Sequence, residues 1–205
     1  MRVTDSYSDL LTVGRPVITT GEAADAWGVG DRAAAHRLRV LAEAKIIRRL
    51  RRGLWAVDPE IGPFAIVPYI TAPYPAYVSL WSALHEHGMI EQIPREISIV
   101  SPDRARRIET EMGTFDVHRI APQLFTGFEG SSEKGYLALP DKALFDLVYV
   151  RAAAGRRAFF PELYLPDDFD RQRLNGWTER ISSARLRTIV GRRLREATRQ
   201  KAGNV

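Results

Sequence analysis

The sequence predicts an α+β fold, and three observations predict it. Between Val17 and Val57 two helical patterns flank a Gly-Val-Gly turn, and two short runs of β-branched or aromatic residues come after them. Prolines 59, 63, 68, 73 and 75 then interrupt the chain. Beyond them strand-like and helix-like segments mix. The expected division is residues 1–58, a proline-rich connection over 59–75, and a mixed α/β domain over 76–205.

Ser6 to Val13 reads as a short helix with Tyr7, Leu10, Leu11 and Val13 apolar, and Pro16 separates it from the next element. The second helix is expected to start at Thr20, a hydroxyl N-cap, with Glu22 in its first turn and Ala23, Ala24 and Trp27 as apolar positions. Gly28-Val29-Gly30 is the turn, because glycine accepts the backbone angles of a tight helix corner. Asp31 is expected to cap the third helix. On that helix Ala34, Leu38, Leu41 and Lys45 fall on one side, and Arg32, His36, Arg39 and Glu43 on the other.

Ile46-Ile47 and Leu54 to Val57 read as two strands, with Arg48, Arg49, Arg51, Arg52 and the reversing Gly53 between them. Helix, glycine turn, helix and basic hairpin in this order read as a winged helix-turn-helix, for which double-stranded DNA is the expected partner. Arg32, His36 and Arg39 are the candidates for reading base edges, since arginine bonds guanine in a bidentate fashion. Arg48, Arg49, Arg51 and Arg52 are the candidates for holding phosphates, a contact that gives affinity and not sequence choice. A charged helix face alone reads equally well as a solvated surface. The order and spacing of the whole favour DNA.

Charge obeys the same division. The net charge of +5 is made of +2 over residues 1–60, −4 over 61–150 and +7 over 151–205. Residues 31–57 alone carry 8 basic and 2 acidic side chains, so positive charge collects on the presumed reading helix and hairpin, while the middle repels nucleic acid. Arginine dominates over lysine, which suits phosphate or carboxylate recognition and equally a GC-rich genome. The absence of cysteine excludes disulfides and thiolate metal sites and fits a reducing cytosol. No apolar run approaches the ~20 residues of a membrane helix, and the N-terminus is polar. A cytoplasmic protein without a membrane partner is expected.

In the second part Tyr77 to Ile90 reads as a helix with Ser79 as N-cap, Leu80, Ala83 and Leu84 packed, and Gly88 as its C-terminal glycine. His85 and His87, two apart, cannot share a helix face, so no metal site is expected there. Glu96 to Val100 is a strand, and Arg107 to Ile120 a hairpin or strand pair around Met112-Gly113-Thr114 with Phe115, Val117 and Ile120 alternating on the far arm. Leu124 to Glu129 reads as a further short strand, and Ser131, Ser132 and Gly135 as a loop. Leu137 to Val150 reads as a helix, with Pro140 in the first turn, Asp141 favouring its N-terminus, and Leu144, Leu147 and Val148 buried. Phe159, Phe160, Pro161, Leu163, Tyr164, Leu165 and Pro166 form an apolar patch, broken by prolines, that covers the core or meets a partner. The final helix, about Ile181 to Lys201, carries an arginine-crowded side that is either solvated or a contact for nucleic acid or an acidic partner.

Four segments together resemble the AbiEi-type antitoxins of bacterial abortive-infection and related toxin–antitoxin systems. They are Leu41 to Val57 (LAEAKIIRRLRRGLWAV), Ser79 to Ile90, Gly113 to Ile120 and Ala138 to Asp146 (ALPDKALFD). The resemblance spans about Thr19 to Val150 and leaves the tail after Arg151 unmatched. It implies a DNA-binding domain that represses the antitoxin's own operon at inverted repeats in the promoter. It also implies a second domain that neutralises a nucleotidyltransferase-like toxin encoded beside it.

Neutralisation by masking, by opposing the toxin's effect, and by covalent modification remain open at this level. Modification makes the chain an atypical kinase that phosphorylates the toxin and requires ATP and Mg²⁺; otherwise no cofactor is expected. No phosphate-loop or kinase motif is present. The one dense polar cluster is Asp141, Lys142 and Asp146, where carboxylates suit a metal and the lysine a phosphate. The simpler reading has Asp141 capping a helix and Lys142 pairing with Asp146 at i,i+4. A nuclease reading of Pro140-Asp141-Lys142 lacks its second half, because Glu133-Lys134 has no spacer. A plain winged-helix regulator with a ligand-sensing second domain is the remaining alternative.

Overall fold

The computed structural model describes residues 3–158, 160 and 162–199. It is a mixed α+β structure with two sheets. The expectations for Phe159, Pro161 and Lys201 lie outside the described residues.

The chain opens with helix α1 (Val3–Thr12), strand β1 (Val17–Thr19), helix α2 (Thr20–Trp27) and helix α3 (Asp31–Glu43). Strands β2 (Arg48–Arg51) and β3 (Leu54–Ala56) come next, and the sheet order is β1-β3-β2, antiparallel throughout. β1 is absent from the sequence expectation; its three residues are too few to show alternation. The N-cap of α2 is Thr19, one residue before the expected Thr20. Its hydroxyl accepts from the Glu22 amide while the Glu22 carboxylate accepts from the Thr19 amide, a reciprocal capping box. Thr20 instead accepts from the Trp55 indole at 3.0 Å, tying helix to sheet. Gly28 ends α2 at φ 60°, the left-handed geometry expected of the turn.

Asp31 does not cap α3. The cap is Gly30, without a side-chain bond, and Asp31 is the first helical residue, where its charge still faces the positive helix end. Ala34, Leu38 and Leu41 are buried as expected, and the two leucines join Leu10, Ile18 and Trp55 in one cluster. Lys45 departs from that row: it lies beyond the helix at φ 57° and is exposed, because the chain has already turned.

The 59–75 segment is not free of regular structure. It contains helix α4 (Val67–Thr71) with Pro68 in its first turn, where a missing N–H costs nothing. Ile61, Ala65, Ile66, Val67 and Ile70 are buried, and they join Leu50 and Leu54 of the first sheet to Phe115 and Val117 beyond. The connection is therefore an apolar filling between the two sheets.

The second part runs β4 (Tyr77–Val78), α5 (Leu80–Glu86), β5 (Ile97–Ser101), β6 (Arg106–Thr110), β7 (Gly113–Arg119), β8 (Phe128–Ser131), β9 (Gly135–Ala138), α6 (Pro140–Ala153), α7 (Arg171–Glu179) and α8 (Ala184–Arg199). A short 3-10 turn over Pro122–Leu124 takes in Leu124, the expected start of a strand that begins only at Phe128. The sheet order is β6-β7-β5-β4-β9-β8, with β5/β7 and β4/β9 parallel and the other pairs antiparallel. Three helices begin later than expected, the last at Ala184 and not near Ile181. Tyr77-Val78 and Leu137-Ala138 are strand, and the other two helices start at Leu80 and Pro140. Gly135 belongs to β9 at φ 86°, and a Cβ there would run into the Phe64 carbonyl; only glycine lets β9 pass the connection this closely.

α5, α7 and α8 all contact α6, which is buried on every side from Pro140 to Val148 and not only at Leu144, Leu147 and Val148. Phe160 and Leu163 are buried against this core, so that stretch of the expected apolar patch covers it.

Candidate nucleic-acid interface

Helical geometry aligns Arg32, His36, Arg39 and Glu43 on one side of α3, and the first and third of these are exposed arginines. Val40 flanks them at 38 % exposure. The opposite side is fixed by buried Ala34, Leu38 and Leu41, so the face is held by packing. Arg39 Nε donates to the Ala35 carbonyl at 3.2 Å along its own helix, which leaves its terminal nitrogens for an outside acceptor. Arg37 lies elsewhere: it sits over the Trp27 ring at 5.6 Å and holds the helix corner.

The arginines expected at a hairpin tip instead line a strand. Arg48, Arg49 and Arg51 are on β2, and the reversal is made by Arg52 and Gly53 alone. All four arginines are exposed, while Leu50 between them is fully buried and anchors the strand. They are not equivalent. Arg49 stands over the Trp55 ring at 5.9 Å and reaches Glu111 at 4.0 Å. Arg51 Nη2 meets the Ile70 carbonyl at 3.5 Å, so it leans toward the connection. The Glu111 amide also donates to the Leu50 carbonyl at 2.9 Å, pinning β2 to the β6–β7 turn. Among the described residues the side chains of Arg48 and Arg52 have no acceptor within the chain, and they are the freer pair for phosphate.

The second sequence cluster is of another kind. Asp141, Lys142 and Asp146 come together at the start of α6, and all three are fully buried. Lys142 bonds and ion-pairs with Asp146 as its i,i+4 spacing predicts. Tyr77 Oη and Ser79 Oγ donate to the other Asp146 oxygen at 2.9 and 2.8 Å. The Lys142 ammonium also lies 5.0 Å from the Phe145 ring centre and 5.8 Å from that of Trp177. Asp141 does not cap α6. Its carboxylate accepts from Arg173 at 2.9 Å and from the Trp177 indole at 2.9 Å, clamping α7 onto α6. Sequence reasoning missed Tyr77, Ser79, Arg173 and Trp177 as members of this cluster. Only the Asp170 cap of α7, which accepts from the Gln172 and Arg173 amides, signalled a helix there.

Burial pushes the Asp146 carboxyl up and the Lys142 amine down, while their mutual bond opposes both shifts and the hydroxyl donors oppose the first. The Tyr77 hydroxyl is held well above its ordinary range by burial and by the neighbouring Asp146 charge. The Ser79 hydroxyl is committed to Asp146 and does not cap α5. The next residue, Leu80, takes φ 50°, a conformation costing about 1–2 kcal/mol for a side chain with a Cβ. Three cavities, of about 610, 290 and 510 Å³, are lined by other residues and not by these three groups. Nor do three or more described His, Asp or Glu residues gather as a metal site.

No described helix is long and apolar enough to cross a membrane. No family model matches the chain, and no curated protein matches it.

Proposed function

We propose that this chain is a DNA-binding antitoxin that represses its own operon and acts in the cytoplasm. In this reading α1–α3 and β1–β3 form a winged helix-turn-helix. α3 enters the major groove, and the β2–β3 hairpin tracks the phosphate backbone. The observation that carries it is the Arg32, His36 and Arg39 stripe on α3, succeeded in the chain by a hairpin with four exposed arginines. Arg32, His36 and Arg39 are assigned to base edges, Arg48 and Arg52 to phosphates, and Arg49 and Arg51 to the flanks of that contact.

The antitoxin role rests on the segments that resemble the AbiEi type. Two of them, Ser79 to Ile90 and Ala138 to Asp146, are joined in space by the Ser79–Asp146 bond, which supports reading them as one unit. The partner is then a nucleotidyltransferase-like toxin encoded by the neighbouring gene. The kinase alternative needs Asp141, Lys142 and Asp146 at a solvent-accessible site, and their full burial supports a structural role instead.

Co-expression with the product of the neighbouring gene, with co-purification and intact mass as readouts, tests the antitoxin role. A stable complex with unchanged toxin mass supports neutralisation by binding. A toxin heavier by one phosphoryl group, with no complex retained, replaces that reading with the kinase. A neighbour that is neither bound, modified nor toxic leaves a plain regulator.

A further inference from the structure

A cavity of about 610 Å³ opens beside the C-terminal end of α6, away from the DNA-facing helix and the buried Lys142–Asp146 pair. Its floor is the helix-covered face of the larger sheet. Ser98 of β5 and Asp116 of β7 are register partners there, and His118 stands two residues on. Trp81 of α5 and Val150 of α6 form apolar walls, and the 91–96 loop brings Ile93 to the rim, where it is 79 % exposed.

Three arginines line the same space: Arg95 from the loop, Arg151 from the last turn of α6 and Arg156 just after it. Among the described residues none of the three has a carboxylate at ion-pair distance. The acids on the wall are engaged elsewhere. Glu96 takes Arg107 at 2.7 Å, and Asp116 lies 3.1 Å from His118 Nε2. Burial holds His118 below its ordinary range and the Arg151 charge adds to this, against the pull of Asp116 and Glu96. The cavity wall therefore carries three guanidiniums and two carboxylates, and one of these, Glu96, is already paired with Arg107.

Guanidiniums without protein carboxylates, converging on one concave space, suit an oxyanion with several acceptor oxygens. The volume falls within the roughly 300–1,000 Å³ of small-molecule sites, and an apolar wall beside a few charged groups is their usual make-up. We propose that this cavity binds a small organic phosphate, a phosphomonoester on an aromatic or aliphatic body. Its phosphate oxygens sit among Arg95, Arg151 and Arg156, and its body lies against Trp81 and Ile93. The site is independent of the DNA and antitoxin readings.

Calorimetric titration of the full chain with phenyl phosphate, inorganic phosphate, benzoate and benzylamine tests this. Phenyl phosphate is expected to bind one to one and more tightly than inorganic phosphate, which lacks the apolar body, or benzoate, which lacks the third oxygen. Benzylamine is expected not to bind. Arg95→Gln and Arg151→Gln each weaken phenyl phosphate by about tenfold, the loss of one charge-assisted bond. Arg48→Gln with Arg52→Gln on the hairpin leaves it unchanged. If Arg151→Gln does not fold, Arg95→Gln on the exposed loop carries the comparison alone. Three results overturn the proposal: no saturable binding of phenyl phosphate, undiminished binding by the folded Arg95→Gln protein, or loss on removing the hairpin arginines. Tighter binding of benzoate overturns the phosphate assignment.

Discussion

Replacing Asp146 by Asn changes one oxygen to an NH₂ group at the most enclosed ion pair among the described residues. The wild-type carboxylate takes Lys142 on one oxygen and the Tyr77 and Ser79 hydroxyls on the other. The amide has one acceptor, so either the ammonium or the hydroxyl pair faces a donor. Removing one partner of a buried pair costs about 3–5 kcal/mol, because a charge remains without compensation. That is a large fraction of the roughly 5–15 kcal/mol that holds a domain together. Lys142 has a way out: it can lose its proton.

Burial already lowers its pKa; Asp146 is the main group that opposes this, with a smaller contribution from Asp141. In the variant the folded pKa falls further below the unfolded value of about 10.4. Between those two values the unfolded chain binds more protons than the folded one, so folded stability rises with pH there. The deficit of Asp146→Asn relative to wild type therefore shrinks toward alkaline pH, by up to about 1.4 kcal/mol per pH unit. Urea unfolding of both proteins across neutral and alkaline pH reads this directly, since titrations common to both cancel in the difference. Equal midpoints at every pH, or a deficit that grows with pH, would refute a structural Lys142–Asp146 pair.

Four further variants probe the structure elsewhere. Arg48→Ala with Arg52→Ala should weaken all DNA sequences alike and flatten the salt dependence of log K by about 0.9 per lost phosphate contact, read by anisotropy at several salt concentrations. Thr19→Ala removes the capping box of α2 and should cost about 1 kcal/mol in chemical unfolding. Burial raises the Glu22 carboxyl, but the Thr19 bonds and Arg15 outweigh it and leave the group below its ordinary range. Its contribution is thus present above the unfolded carboxyl pKa and lost as the pH falls through the folded one, and Glu22→Gln should remove that acid-side dependence from urea midpoints. Gly135→Ala sets a Cβ against the Phe64 carbonyl at a positive φ and should cost about 1–3 kcal/mol; an unchanged midpoint contradicts the close passage of β9 past the connection.

Legibility in the sequence depended on range. α3 was legible because Ala34, Leu38 and Leu41 keep a helical period and leave Arg32, His36 and Arg39 on the other face. The β6–β7 hairpin was legible because Phe115 and Val117 alternate after a turn glycine. β9 was not, because Leu137 and Ala138 extend the apolar pattern of α6, and composition does not separate a short strand from a first helical turn. Pro140 as first helical residue was the available signal. α7 escaped because only Leu174 and Trp177 are buried along it.

Within the sites, i,i+4 spacing gave the Lys142–Asp146 pair, a local fact. The Tyr77, Ser79, Arg173 and Trp177 partners are 32 to 69 residues away in sequence from the acids they meet, and no local pattern links them. The arginines of β2 were found, but their roles were not. Arg49 and Arg51 are drawn toward Glu111 and the Ile70 carbonyl, the latter in a connection whose packing the prolines concealed.

Sequence-selective DNA binding through α3 is the central claim. Its most direct test is anisotropy of the full chain with duplex DNA from immediately upstream of its own coding sequence, against a shuffled duplex of the same composition, for wild type and Arg39→Ala. Wild type is expected to prefer the upstream duplex, and Arg39→Ala to lose about 1–3 kcal/mol of that preference while still binding both. Equal affinity of wild type for the two duplexes, or an Arg39→Ala protein as selective as wild type, would contradict it.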